Sequence, residues 1–248
     1  MGSPARFPFG VTTAAKSEAL GMYGGLDPTK WYTFFDDFDT WVTDTSSAAK
    51  YTITTTEAGA GSATEALSDA KNGVLLITND AADNDLDFFQ KIGETFLPAS
   101  GKRTIFKARF QVSEATETEF HFGLMVTDTD PYSATAGAGV TDGIFFMKED
   151  GVTTVNFYVQ KNATTGQLVT TGVATAAAAT WTTLGFDFDG KRYVGVYVND
   201  VCVKTVDLTA TLATYLPDTE LTVSFGLKNG SAVAHTMSVD YIFCAEER

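Results

Sequence analysis

Apolar and polar residues alternate with a period of two along most of this chain. Between Trp181 and Leu208 it reads WTTLGFDFDGKRYVGVYVNDVCVKTVDL. Leu184, Phe186 and Phe188 form one alternating run, and Asp189–Gly190 closes it. Val194, Val196 and Val198 form the next, and Asn199–Asp200 closes that. Val201, Val203 and Val206 continue the pattern. Alternation broken by DG and ND pairs predicts antiparallel hairpins. Further strands are expected at 34–41, 50–56, 73–79, 85–92, 104–112, 119–128, 142–150, 154–162, 168–174, 221–229 and 235–246, with Gly, Asn and Asp turns between them. Many evenly spaced strands with little helix predict an all-β, two-sheet antiparallel sandwich or jelly roll. The biased stretches EAGAGSATEA and ATAGAGVTDG read as surface loops.

Two strands are informative residue by residue. In TIFKARFQV, Ile105, Lys107, Arg109 and Gln111 are expected on one face and Phe106, Ala108, Phe110 and Val112 on the other. The long cationic stems can then cover apolar surface while their heads stay wet. In HTMSVDYIFCAE, strict alternation puts Met237, Val239, Tyr241 and Phe243 together, opposite Ser238, Asp240, Ile242 and Cys244.

Residues 1–33 differ from the rest of the chain. They hold Pro4, Pro8, Pro28, Gly10, Gly21, Gly24 and Gly25, and no sustained periodicity. TAAKSEALGMYG offers at most one or two helical turns. The segment is an N-terminal arm, and residues 34–248 form the sandwich domain. Phe7, Phe9, Val11, Leu20, Met22 and Tyr23 are too apolar for a solvating linker. Either the arm packs on its own body or it docks on a partner. Its partner-binding candidates are Arg6, Phe7, Pro8, Phe9, Tyr23 and Leu26. Docking on another subunit, with the sandwich folding independently, is the expectation.

The chain has 248 residues, 44% hydrophobic and including 19 Phe, enough to bury a sizeable core. Its net charge is −14; residues 1–33 carry +1, so the remainder carries −15. That charge repels nucleic acid and anionic membrane. No stretch approaches a transmembrane span, and MGSPARFPFG lacks the regions of a signal peptide. Cys202 and Cys244 both sit in apolar strand patterns and are expected to be buried free thiols, which suits assembly in a reducing cytoplasm.

The strand set, with its Trp, apolar strand, DG hairpin and final strand MSVDYIFCAEE, resembles the concanavalin A-like lectin and glucanase superfamily. A narrower likeness lies in ARFPFGVTT, LDPTKWYTFFDDFDTW, TIFKARFQVSEATETEFHFGLMVTDTDP, TDGIFFMKEDG and LTVSFGLKNG. These segments resemble a tailed-phage virion structural family. That resemblance implies a capsid decoration (cement) protein, with a jelly-roll body and an N-terminal arm. It would bind the major capsid protein on the outer shell as a homotrimer. A carbohydrate-binding or host-attachment lectin is the first alternative, and a glycosidase the second.

Retaining glucanases need paired carboxylates about 5–5.5 Å apart. Here E-x-D-x-x-E does not occur; Asp37 and Asp39 can share a strand face, but that face has no Glu. The sequence therefore predicts no hydrolytic activity and no cofactor. NDAADNDLD carries Asp80, Asp83, Asp85 and Asp87, where a calcium reading competes with a solvated turn. His121 and His235 have no Cys or His at ligand spacing. Trp31, Trp41 and Trp181 suit either core packing or stacking on sugar.

Overall fold

The computed structural model describes Leu26 and residues 28–68, 72–128, 131–132, 139–162 and 168–248. In chain order the strands are β1 (Trp31–Asp36), β2 (Tyr51–Thr56), β3 (Thr64–Leu67), β4 (Leu75–Thr78), β5 (Leu86–Lys91), β6 (Thr104–Val112), β7 (Thr118–Met125) and β8 (Gly143–Lys148). They continue with β9 (Thr154–Gln160), β10 (Leu168–Thr175), β11 (Thr182–Phe188), β12 (Tyr193–Val198), β13 (Val201–Asp207), β14 (Thr222–Asn229) and β15 (Thr236–Glu247). One short helix, α1 (Leu212–Tyr215), precedes β14.

The strands form two antiparallel sheets packed as a sandwich, as the alternation predicts. The eight-stranded sheet runs β13–β12–β11–β6–β15–β4–β3, with β1 also on β15; the seven-stranded sheet runs β10–β9–β8–β7–β14–β5–β2. The hairpin signals are realised in the backbone. Asn199 and Asp200 have φ of 48° and 63°, the left-handed pair a two-residue turn between twisted strands requires. At the preceding turn the Asp189 carboxylate accepts from the backbone N–H of Lys191, Arg192 and Tyr193.

Aromatic rings fill the space between the sheets. Phe89 and Phe225 stack at 4.9 Å and 8°, Phe122 stacks on Phe225 at 5.9 Å, and Phe110 stacks on Phe122 at 4.1 Å. Phe110 belongs to the eight-stranded sheet and the other three to the seven-stranded one, so this row joins the layers. All four are essentially inaccessible to solvent.

The faces of β6 are those expected, with Phe106, Ala108, Phe110 and Val112 buried. Strand β15 departs from expectation. Its pairing with β6 shifts register between Val239 and Tyr241. This bulge reverses the alternation. Met237 and Val239 point into the core before it, and Ile242 and Cys244 after it, while Tyr241 and Phe243 turn outward.

Three other expectations need amendment. EAGAGSATEA does not remain loop throughout, because β3 begins at Thr64 and pairs with β4. Strand pairing starts at Trp31, opposite Glu247, inside the segment assigned to the arm. Cys244 is buried as expected, but Cys202 is exposed because β13 is the sheet's outermost strand. The helix-like stretch TAAKSEALGMYG lies outside the described residues. Among the described residues no helix is long and apolar enough to cross a membrane.

Phe225 also meets Phe38 and Tyr51 edge-on, at 6.2 and 5.5 Å. Phe225→Ala is expected to lower unfolding stability by about 3–5 kcal/mol in urea titrations, the usual loss for a buried Phe. A loss within ~1 kcal/mol would show that this ring row does not hold the sheets together.

Candidate functional site

One open cleft gathers polar side chains at the edge of the sandwich. It forms where the chain leaves β1 and meets the β3–β4 connection. The Asp36 carboxylate is buried and accepts from Lys50 Nζ at 2.9 Å, Tyr51 Oη at 3.1 Å and the Phe38 backbone N–H at 3.3 Å. These bonds turn the chain sharply. Phe38 takes a φ of 50° and drives its ring into the core against Tyr51. With Phe38 pointing in, its neighbours Asp37 and Asp39 line the cleft outside it.

The facing wall is equally constrained. Asn72 and Gly73 both have left-handed φ, 76° and 72°. A Cβ on Gly73 would lie 2.4 Å from the Asp37 carbonyl oxygen, so only glycine lets the two turns meet. Asp37, Phe38, Asp39, Leu67, Ser68, Asn72 and Gly73 enclose about 480 Å³. Of the two walls, Phe38 is the costly position, a bulky residue held at positive φ, whereas Asn72 adopts that region readily. Chemically the cleft offers two carboxylates, an amide and a hydroxyl beside one exposed leucine.

The chain itself covers the outer face of the seven-stranded sheet. Leu86, Phe88, Met125, Phe145, Met147 and Tyr158 form a second buried cluster there, with Tyr132 and Val140 from the β7–β8 connection packed over it. Two glutamines clip that connection down. Gln90 donates to the Val126 carbonyl at 3.1 Å and accepts from the Asp128 N–H at 2.9 Å. Gln160 donates to the Val140 carbonyl.

His121 lies beneath this cover. Its ring meets Tyr132 edge-on at 4.2 Å and lies near Phe145 at 5.8 Å. It occupies the strand position expected of it, but facing away from the central core. Burial, reinforced by the nearby Lys228 ammonium, pushes its pKa down to about 3. Glu119, two residues earlier on the same face, sits 3.5 Å from Lys228. Burial raises its carboxyl to about 7 against the pull of Lys228.

The acidic run after β4 is not brought together as one ligand set. Asp80 accepts from the Gly61 N–H at 3.0 Å and Asp85 from the Ala58 N–H at 2.6 Å. These bonds staple the β2–β3 loop to the β4–β5 loop. Asp87 accepts from Thr55 Oγ1 at 2.8 Å; burial, with Glu65 and Glu57 nearby, pushes its pKa up to about 8. A carboxyl that keeps its proton at neutral pH is a poor calcium ligand. Asp83 sits exposed in the turn. Among the described residues no group of three or more His, Cys, Asp or Glu is placed to hold a metal.

Of the arm's candidates, Arg6, Phe7, Pro8, Phe9 and Tyr23 lie outside the described residues. Leu26 is described and packs on its own body, joining Trp31, Tyr197 and Phe243 around the buried pair Ile105 and Ala245 on the outer face of the eight-stranded sheet. Trp41 is partly buried against the core, stacked on Tyr51. Trp181 lies under the Arg109 guanidinium at 4.5 Å.

No family model matches the chain, and no curated protein does. Solved structures do match its fold. An endo-1,3-β-glucanase from Streptomyces sioyaensis superposes with a TM-score of 0.59 at 16% identity, covering 89% of this chain and 98% of that one. An endo-β-1,4-glucuronan lyase from Trichoderma reesei gives 0.54 at 10% identity, covering 85% and 94%. Peanut lectin gives 0.54 at 10% identity, covering 88% and 97%. The fold is thus the concanavalin A-like jelly roll of lectins and glucanases. The expectation that the chain has no enzymatic activity is overturned, since enzymes stand among its structural neighbours. That expectation rested on the missing E-x-D-x-x-E and on a strand face for Asp37 and Asp39 that has no Glu. It overlooked that a turn, not a strand face, brings Asp37 and Asp39 to one cleft.

His121 supplies a pH test. Its folded-state pKa lies below the ordinary value of 6.5, so the stability it contributes is present above that value and lost as pH falls toward 3. His121→Phe is expected to remove several kcal/mol of this acid sensitivity, at 1.36 kcal/mol per pKa unit. Denaturation curves at pH 7, 5 and 4 check it. Equal acid sensitivity in both proteins would place the loss elsewhere.

Proposed function

We propose that this protein is a lectin-like glycan-binding module whose site is the cleft at Asp37, Asp39, Ser68 and Asn72. The cleft carries the reading. Its carboxylates accept from sugar hydroxyls, Asn72 both donates and accepts, and the side chain of Leu67, 41% exposed, offers an apolar surface for a pyranose ring. Supporting it, the structural neighbours are named as a lectin, a glucanase and a glucuronan lyase. The outer face of the seven-stranded sheet is covered by the chain's own Tyr132 and Val140, whereas the edge cleft is open and polar. The expected ligand is a neutral glycan, because the described residues that line the cleft include two carboxylates and no cation, which disfavours an anionic one.

A second reading has its own observation. The outer face of the eight-stranded sheet exposes Phe35 at 58%, beside Tyr241 and Phe243. Such a patch suits protein docking. Together with the sequence's resemblance to tailed-phage virion proteins, it supports a decoration subunit binding the major capsid protein on the outer shell as a homotrimer. The two readings are compatible: a virion surface is one place from which a glycan-binding module can act.

Glycan arrays followed by calorimetry test the first reading. A saturable neutral ligand is expected. Asp37→Asn and Asn72→Gly are each expected to weaken it at least tenfold, by loss of charge-assisted and amide hydrogen bonds, with little change in melting because glycine keeps the left-handed backbone at 72. Reducing-sugar release from the same ligand would show that the cleft also turns it over. No saturable ligand, or full affinity in both variants, would sink the proposal. For the second reading, antibody against the chain is expected to decorate the outside of purified particles; absence from those particles would end it.

A further inference from the structure

The tripeptide Lys-Asn-Gly occurs twice, at 71–73 and at 228–230. Asn-Gly is a chemically fragile pair, because glycine leaves its backbone nitrogen uncrowded and the chain free to bend. That nitrogen can attack the side-chain amide before it. Identical tripeptides share one intrinsic reactivity, so a difference between the two copies comes from the fold.

The fold treats them oppositely. Asn229 lies in β14, paired with Thr118, and is fully buried. Its side-chain amide donates to the Asp80 and Ala82 carbonyls at 2.6 and 3.1 Å. Its backbone N–H donates to the Asp85 carbonyl at 2.8 Å, and the Gly230 N–H donates to the Glu117 carbonyl at 2.8 Å. Both reacting groups are held, and freeing them means parting core strands. Asn72 is exposed in the turn before β4, at a φ of 76°. Among the described residues no hydrogen bond holds its side-chain amide or the Gly73 N–H. The turn is tied instead by the close packing of Gly73 on the Asp37 carbonyl, a contact that does not engage the reacting groups. Opening free energies run from near zero in exposed turns to the full unfolding free energy in core strands.

We infer that Asn72 is a site of spontaneous deamidation and that Asn229 is protected from it. The Gly73 nitrogen gives its proton to hydroxide and bonds to Asn72 Cγ. The bond from Cγ to the side-chain nitrogen then breaks, and that nitrogen takes a proton from water and leaves as ammonia. The product is a cyclic succinimide. Water adds to either of its two carbonyls and opens the ring, leaving an aspartyl or an isoaspartyl residue at position 72. Water and hydroxide are the only co-reactants. Either product sets a third carboxylate in the cleft with Asp37 and Asp39. The isoaspartyl form also routes the main chain through the side-chain carbon, adding a methylene where Gly73 meets the Asp37 carbonyl. On the glycan-binding reading, on which this one consequence rests, the aged cleft loses an amide donor and holds its ligand more weakly.

The test is peptide mapping by mass spectrometry of the full-length protein incubated at pH 8 and 37 °C. It needs no ligand, so its outcome is separate from that of the glycan reading. Position 72 is expected to exchange ammonia for water at least tenfold faster than position 229, the difference in opening between an exposed turn and a core strand. In concentrated urea the two rates should agree within twofold, because the tripeptides are identical. Aspartyl-specific proteolysis should find both products at position 72. Asn72→Gln, whose longer side chain cyclises more slowly, is expected to remove the acidic isoform that isoelectric focusing shows in aged wild-type protein. Folded-state rates within tenfold of each other, or faster reaction at 229, would overturn the inference. So would an aspartyl product alone, which would show direct hydrolysis, or an acidic isoform that persists in Asn72→Gln.

Discussion

The stacked row Phe89, Phe225, Phe122 and Phe110 fixes how the two sheets meet, and the rest of the structure is arranged around that contact. Rings at 4.1–5.9 Å leave little freedom in spacing or register, because a close-packed interior transmits small shifts rather than absorbing them. Strands β5, β14 and β7 each contribute one ring from the same sheet, so a one-residue slip in any of them would turn a Phe out of the core and break the row. The candidate cleft depends on the same contact. Phe38 is held against Tyr51 and Phe225, and that anchorage keeps Asp37 and Asp39 outside.

The two outer faces solve the problem of apolar surface in different ways. On the seven-stranded sheet, glycine faces a large ring at two places: Gly123 opposite Phe145 and Gly226 opposite Phe88. A Cβ on either glycine would come within 3 Å of that Phe or its backbone. The glycines let Phe88 and Phe145 approach closely, and Tyr132 settles edge-on against Phe88 at 5.8 Å and against His121. On the eight-stranded sheet the cover comes from charged stems. Lys107 and Arg109 set their charged heads over Tyr241 and Trp181 and pair them with Asp200 and Asp240.

Much of this architecture was legible in the sequence, for a physical reason: a half-buried strand must alternate, and left-handed two-residue turns need residues such as Asp-Gly and Asn-Asp. What escaped shows where local pattern stops carrying information. The β15 bulge inserts one residue at a place that alternation alone cannot locate, and it exchanges the faces of four side chains. The burial of His121 depends on Tyr132, eleven residues away in a loop, so no strand pattern announces it. The cleft was half visible, since Asp37 and Asp39 stand out in FFDDFDTW, but Asn72 and Gly73 reach them only through the fold. The strongest signal for that wall was the Asn-Gly pair itself, a turn marker whose contact with β1 the sequence does not state.

Closure of the seven-stranded face bears on where this sandwich can meet a ligand. That closure is written into strand residues, not only into the connection that covers them: Phe88 and Phe145 are seated by glycines, and Gln90 and Gln160 are placed to clip backbone groups at either end of the β7–β8 connection. Removing the cover would expose a large apolar surface and strand His121, a ring whose charged form the site disfavours. Opening this face to solvent would therefore cost far more than adapting the edge cleft, whose walls are already exposed and whose polar groups already meet water. A ligand that met the edge would leave the aromatic row between the sheets undisturbed. The Asp37 cleft therefore stays open at the edge while Phe38, on the other side of the same turn, keeps its place in the core.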